Sequence, residues 1–309
     1  SELRIARSRG NSEWLRMPVI DSHVHLYPPE ANRDPAGWAA RRKETHWATL
    51  CTRRRRDGRP VQGFAEVDGL LRAMDAAGIE RAVLLGWYRE QAETCVLQNR
   101  FYGECIRRHP DRLAACAALH PAAGRMETLA EVRRAFDEGL IGLGELSPHS
   151  QGYAIDDPVF REVLALAADL KLPVNLHVTD PAGRDFPGRV LTPLANFGRL
   201  ALDFPRTTFI LAHWGGLLPL CDPAAGKLVN VHYDTAASPL LYDAGIWRQF
   251  LEAVPAERVL FGSDYPLNLY PRMEATPDMR RLIAEAKAGG ANAAVFAANA
   301  ARLLNLRLV

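Results

Sequence analysis

The segment Asp21-Ser22-His23-Val24-His25 is the first stretch of the chain whose residue types could do chemistry. In an extended strand, residues two apart share a face, so His23 and His25 present two imidazoles on one ledge. Neutral imidazoles on a rigid ledge suit a borderline cation such as zinc. The pair alone is weak evidence. Four further groups close short apolar runs downstream: Glu145 after Gly142-Leu143-Gly144, His177 after Pro173-Val174-Asn175-Leu176, His213 after Phe209-Ile210-Leu211-Ala212, and Asp264 after Phe261-Gly262-Ser263. Any one of these could be a hydrogen-bonded core residue. Six together, at the ends of five apolar runs, are hard to explain that way, because each unpaired buried polar group would cost kilocalories.

The elements that must carry these residues repeat along the chain. Apolar runs stand at 17–21, 81–87, 113–120, 140–146, 172–178, 207–214, 228–234 and 258–264. Each is nearly continuous rather than alternating, as expected for strands buried on both faces of a parallel sheet. Amphipathic stretches such as VDGLLRAMDAAG and PVFREVLALAADL separate them. A step of about 30 residues is the size of one βα unit. Eight such steps predict an α/β fold, a single-domain (β/α)8 barrel, in which the chemistry-bearing residues converge at the C-terminal ends of the strands. A dinucleotide-binding fold is disfavoured, since no G-x-G-x-x-G follows any run. Residues 26–66 break the rhythm and read as a long loop or lid after the first strand, and 290–309 read as a C-terminal helix. The lid contains Arg53-Arg54-Arg55-Arg56, which reads either as a solvated or subunit-contacting run or as a grip on an anionic substrate.

At 309 residues, with 48% hydrophobic and 24% charged residues, the chain has ordinary globular composition and enough length for a large core. Its formal charge of +2 gives no global field to draw nucleic acid or an anionic membrane. The five cysteines include no C-x-x-C pair, which reads as reduced thiols in a cytoplasmic protein. The first twenty residues lack the apolar core of a signal peptide, and no apolar run is long enough to span a membrane. The four lysines are Lys43, Lys171, Lys227 and Lys287. None falls at the C-terminal end of a strand.

With its motifs DSHVH, NLHV, LAHWGG and FGSDYP and its tail Asn299-Ala300-Ala301-Arg302-Leu303-Leu304, the sequence resembles the amidohydrolase superfamily. More narrowly, it is similar to the amidohydrolase-related branch that holds aminocarboxymuconate-semialdehyde decarboxylase, resorcylate decarboxylases, hydratases and sugar lactonases. The resemblance covers roughly residues 17–306. It implies that His23, His25 and His177 are metal ligands, that Asp264 is a ligand and the proton acceptor from a metal-bound water, and that His213 binds metal or the reacting group. The implied cofactor is a divalent metal, zinc with manganese as the alternative, as one ion or two. Many binuclear members bridge their ions with a lysine on strand 4, and here Glu145 stands there instead. We take Glu145 as a direct ligand, with a bridging or histidine-orienting role left open.

Around this set, Trp214 and Tyr265 each follow a proposed metal-site residue and are candidate pocket walls. Arg184, in the loop after strand 5, is a candidate for a substrate carboxylate. Asp234, sharing a face with His232, is a candidate support for the site; His120 reads as structural, His149 as a lesser substrate candidate, and His46 and His109 as surface residues. The expected function is metal-dependent hydrolysis of a small-molecule ester, lactone or amide bond, with Asp264 as general base. Non-oxidative decarboxylation of an aromatic or muconate-type acid is the alternative. A nuclease is opposed by the near-neutral charge. A non-catalytic, metal-stabilised barrel is the reading of a different class. The expected partner is a small, possibly carboxylate-bearing molecule, and the expected assembly a homodimer.

Overall fold

The computed structural model describes residues 17–273 and 276–307. Eight parallel strands, β1 (Ile20–Val24), β2 (Arg81–Leu84), β3 (Leu113–Ala117), β4 (Gly142–Leu146), β5 (Val174–Leu176), β6 (Phe209–Leu211), β7 (Val231–Asp234) and β8 (Val259–Leu260), lie side by side in chain order. Every residue in them is buried, so their apolar residues do not alternate with exposed ones, and the polar residues they carry, such as Asp21, His23 and Asp234, are buried too. Backbone hydrogen bonds return the end of the chain to its start: Ser22 N–H donates to Phe261 O at 2.8 Å, Asp264 N–H to His23 O at 2.9 Å, and His25 N–H to Tyr265 O at 2.7 Å. The result is a single-domain (β/α)8 barrel.

Helices α1 (Pro29–Arg33), α2 (Pro35–Arg42) and α3 (Thr45–Cys51) precede α4 (Val67–Ala77), α5 (Ala92–Arg108) and α6 (Arg125–Asp137). The short α7 (Pro148–Gln151) leads to α8 (Pro158–Leu170) and α9 (Leu194–Asp203). Then come α10 (Leu218–Cys221), α11 (Ser238–Leu241), α12 (Ile246–Ala253), α13 (Met279–Ala288) and α14 (Asn299–Leu303). Their apolar stripes face the sheet; in α12 these are Ile246, Trp247 and Phe250. On the inner side, Ile20, Val83, Cys116, Ile210 and Leu260 pack with Ala297, Ala300 and Leu304 of the C-terminal segment, which plugs the barrel floor.

Two segments differ from the sequence expectation. The 26–66 insertion is not an irregular loop: α1 to α3 build a compact aromatic unit of Tyr27, Trp38 and Trp47 that packs against Trp87 and Tyr88 after β2. Prolines at the first turns of α1 and α2, and the Asp34 side chain, which accepts from Gly37 N–H at 3.0 Å, start those two helices. The C-terminal helix is shorter than 290–309. It begins with a π-type turn at Ala294–Ala298 and ends at Leu303, before Asn305 adopts a left-handed conformation. Residues 308–309 lie outside the described residues.

On the inner face of β7, His232 is buried, and burial together with Arg302 and Arg258 lowers its pKa from 6.5 to about 4. The folded protein therefore keeps His232 neutral while the unfolded chain takes up a proton below pH ~6.5, so this stability is complete above that pH and is lost as pH falls toward ~4. At 1.36 kcal/mol per unit the loss is at most about 3 kcal/mol. His232→Gln should flatten the fall in urea midpoint between neutral pH and pH ~4.5 relative to the parent. Parallel pH curves for the two proteins would show that His232 contributes nothing to it.

Candidate metal centre and active site

The closing seam between β1 and β8 brings the two ends of the chain together at the barrel mouth. Asp21 fastens it: Oδ1 accepts from Ser263 N–H at 2.9 Å and His23 N–H at 3.3 Å, and Oδ2 accepts from the Ser263 hydroxyl at 2.5 Å. Burial raises the Asp21 pKa to about 6 against the opposing Ser263 hydrogen bonds. His23 and His25 thus stand beside Asp264, whose Oδ1 is 3.5 Å from His25 Nε2 and 3.9 Å from His23 Nε2.

Each imidazole is oriented by a partner behind it. His25 Nδ1 donates to the Leu85 carbonyl at 2.9 Å, and His23 Nδ1 donates to Asp234 Oδ2 at 2.9 Å. A neutral imidazole that donates from Nδ1 presents a lone pair at Nε2. The two Nε2 atoms are 3.1 Å apart. Two lone pairs cannot face each other at that distance without a positive charge shared between them. Either a proton or a cation meets this need. In the metal-free protein burial opposes protonation of His23, but Asp234, Asp264 and Glu145 outweigh it and raise its pKa to about 10. Burial and the charge on His23 lower His25 to about 4.

Asp234 is the hub behind these groups. Besides His23 it accepts from Asn175 Nδ2 at 2.9 Å, and its Oδ1 accepts from the backbone N–H of His213 at 3.2 Å and of Ala236 at 3.1 Å. Burial resists its ionisation, yet His23 and these donors hold its carboxyl below the usual range. His213 enters through an unusual turn: His213, Trp214, Gly215, Gly216 and Leu217 all have φ between 57° and 64°. A Cβ on Gly215 would lie 2.6 Å from Tyr233, so the turn requires glycine there. The non-glycine members carry backbone strain that persists at functional sites.

Glu145 connects the remaining histidines. Its Oε1 accepts from His177 Nδ1 at 2.7 Å and from His213 Nε2 at 3.2 Å, while Oε2 lies 3.6 Å from His25 Nε2 and 3.8 Å from His23 Nε2. Burial opposes its ionisation, but His177, His213 and His23 hold it well below the carboxylate range. His213 also donates from Nδ1 to Ala236 O at 3.2 Å. Its pKa is raised, Glu145 overcoming the effect of burial. His177 donates from Nδ1 to Glu145, and its Nε2 accepts from the Thr179 hydroxyl at 3.4 Å. Two overlapping triads can hold a cation: His23, His25 and Glu145, and Glu145, His177 and His213.

The six strand-end residues therefore come together, and His25, Glu145, His177, His213 and Asp264 line a cavity of about 1020 Å3. Arg184 lies on its exposed rim. Trp214 and Tyr265 do not line it. Trp214 is fully buried, donates from Nε1 to Ser238 Oγ at 3.0 Å and packs on Trp247, and Tyr265 is part of the same apolar core. Each follows a mouth-facing residue whose backbone is left-handed, His213 at φ 57° and Asp264 at φ 65°, and the chain turns there so that the next side chain enters the core. His46 lines the cavity and donates from Nε2 to Gly188 O at 2.7 Å rather than standing at the open surface. His120 accepts from Ala122 N–H through Nδ1 at 3.1 Å and donates to Gln151 O at 3.1 Å, while His149 pairs with Asn196 at 3.1 Å. Sequence reasoning passed over Trp87 and Tyr88, whose rings lie 5.0 Å from His25 and 4.8 Å from His177. Their position just beyond the C-terminal end of β2 was the available signal.

Residues 20–306 match the family model described as amidohydrolase. The chain belongs to the amidohydrolase family. Among curated proteins this amidohydrolase is similar to the decarboxylase OrsB of Emericella nidulans, 26% identical over 64% of this chain and 73% of that one. Among solved structures it is similar to 5-carboxyvanillate decarboxylase from Novosphingobium aromaticivorans, complexed with manganese and 4-hydroxy-3-methoxy-5-nitrobenzoic acid, with a TM-score of 0.67, 16% identity and coverage of 94% and 96%. The 2,6-dihydroxybenzoate decarboxylase from Rhizobium gives a TM-score of 0.61, 21% identity and coverage of 94% and 99%. Enzymes of the amidohydrolase family depend on metal, and the facing Nε2 atoms with adjacent carboxylates fit a divalent ion.

A partner that orients a metal-binding histidine typically affects metal affinity by 10–100-fold, on the order seen for such outer contacts. Asp234→Asn should weaken metal binding by about that factor in a chelator competition, because an amide holds the His23 tautomer poorly. Unchanged affinity would remove Asp234 from the support of the site.

Proposed function

We propose that this amidohydrolase is a metal-dependent, non-oxidative decarboxylase of an aromatic carboxylic acid, ahead of the hydrolysis expected from the sequence. The observation that carries this reading is Arg53. Its Nε and Nη1 are enclosed without hydrogen-bond partners, and its guanidinium lies 4.5 Å over the Phe186 ring, on the wall of the cavity. A confined cation without a counter-charge is costly, and a planar guanidinium matches a carboxylate bidentately. Trp87, Tyr88 and Phe186 add aromatic surface along the same cavity, which suits a flat ring. The similarity to decarboxylases of hydroxylated benzoates supports the same chemistry.

We assign the metal to His23, His25 and Glu145, with Asp264 completing the donor set and His177 held against Glu145 beside it; imidazole nitrogens with carboxylate oxygens suit zinc or manganese. Bound there, a divalent ion supplies Lewis acidity to the carboxylate and hydroxyl oxygens of the substrate. Arg53 orients the ring acid. Asp264 holds the proton that passes to the ring carbon as the bond to the carboxylate breaks and carbon dioxide leaves. His213, hydrogen-bonded to Glu145 through Nε2, donates to negative charge that develops beside it when protonated, and Asp234 and Glu145 keep the imidazoles turned inward.

Purified protein loaded with zinc or manganese should release carbon dioxide from a panel of ortho-hydroxybenzoates and leave a lactone panel untouched. Lactone hydrolysis without carbon dioxide release would restore the hydrolase reading. Asp264→Asn, compared at matched metal occupancy, should lower kcat by about 10²–10⁴, the usual contribution of a positioned proton donor or acceptor. A fully metallated variant with near-parental kcat would transfer that role to His213. Glu145→Gln should lower the metal content measured by elemental analysis, since a neutral amide is a poorer ligand for such an ion.

A further inference from the structure

The cavity is larger than the proposed chemistry needs. Pockets of roughly 300–1,000 Å3 hold drug-sized ligands, and this one, at about 1020 Å3, would be filled only in part by a single-ring hydroxybenzoate. Its two ends differ in character. The histidines and carboxylates gather at the barrel mouth, whereas Leu240 and Leu241 of α11, Leu267, Leu269 and Met273 of the loop after β8, and Leu217 of the turn after β6 line the cavity farther out, with the exposed Asp243, Gln249 and Arg272 at its edge. Leu241 is 41% and Met273 65% exposed, so large apolar side chains stand in water inside a concave space continuous with the reaction site. Exposed apolar surface of this kind marks a binding surface.

We propose that this apolar half of the cavity binds an extended apolar substituent, so that the substrate is a hydroxybenzoic acid bearing an alkyl chain or second ring. This deepens the decarboxylase reading and rests on it. The acid end meets Arg53 and the metal centre, and the arm lies along Leu217, Leu240 and Leu241 toward Met273. A second copy of the chain is the competing occupant of the rim. The substrate arm is favoured because the apolar residues line the same cavity as Glu145 and Asp264 rather than a separate face.

The test uses metal-loaded protein and ortho-hydroxybenzoates carrying unbranched alkyl chains of increasing length. Burial of each methylene is worth about a threefold to fourfold gain, so kcat/KM should rise by about that factor per methylene until the chain leaves the cavity. Leu241→Ser and Met273→Ser should flatten the rise and leave turnover of the unsubstituted acid unchanged. A flat or falling series overturns the proposal. If no acid releases carbon dioxide, the decarboxylase reading fails by itself, and calorimetric binding of the same series still decides: affinities that rise with chain length sustain the arm site, and equal affinities overturn it. A flat series together with a dimer that the two serine variants dissociate assigns the rim to a second copy, which also overturns it.

Discussion

Two imidazole nitrogens, His23 Nε2 and His25 Nε2, face each other at 3.1 Å while both rings are held from behind by acceptors at Nδ1. This arrangement is repulsive without a positive charge between the rings. The carboxylates of Asp264 and Glu145, both within 4 Å of these nitrogens, concentrate further negative charge on the same point. A cation bound there, as proposed, would relieve that repulsion. Without metal, a proton on His23 takes its place, so metal uptake must displace a proton and weaken as pH falls.

The rest of the architecture holds that cluster in place. The seam from β1 to β8 sets Asp264 beside the histidine ledge through main-chain hydrogen bonds, and Asp21 ties the seam with its carboxylate. The left-handed turn after β6 brings the His213 N–H onto Asp234, which already fixes His23 and Asn175. Strain in that turn is offset by the packing of Trp214 against Trp247 and Phe250. Above the metal centre, the insertion after β1 anchors Trp87 and Tyr88, so the lid and the histidines form one packed unit.

All eight strands were legible, since parallel strands buried on both faces are rich in apolar residues without alternation, and the histidines and carboxylates were legible because they stand at or near the ends of those strands. The supporting groups were not. Asp234 and His232 share a face of β7, but the two-residue rise along the strand leaves one at the metal site and the other among the floor residues near Arg302. Trp214 and Tyr265 were misplaced by adjacency in sequence, because the left-handed backbone at His213 and Asp264 turns each following side chain into the core. In the run Arg53-Arg54-Arg55-Arg56, no sequence signal separates Arg53, enclosed over Phe186, from Arg54, which donates to the Gly58 carbonyl. That distinction comes from the fold of the insertion against the loop after β5.

The central claim is that a divalent ion occupies the space between His23 and His25. X-ray absorption at the metal edge of the manganese- or zinc-loaded protein tests it most directly. The account predicts imidazole scattering from at least two histidines, reduced in the His23→Ala and His25→Ala variants. A shell of oxygen ligands alone, unchanged in both variants, would contradict it.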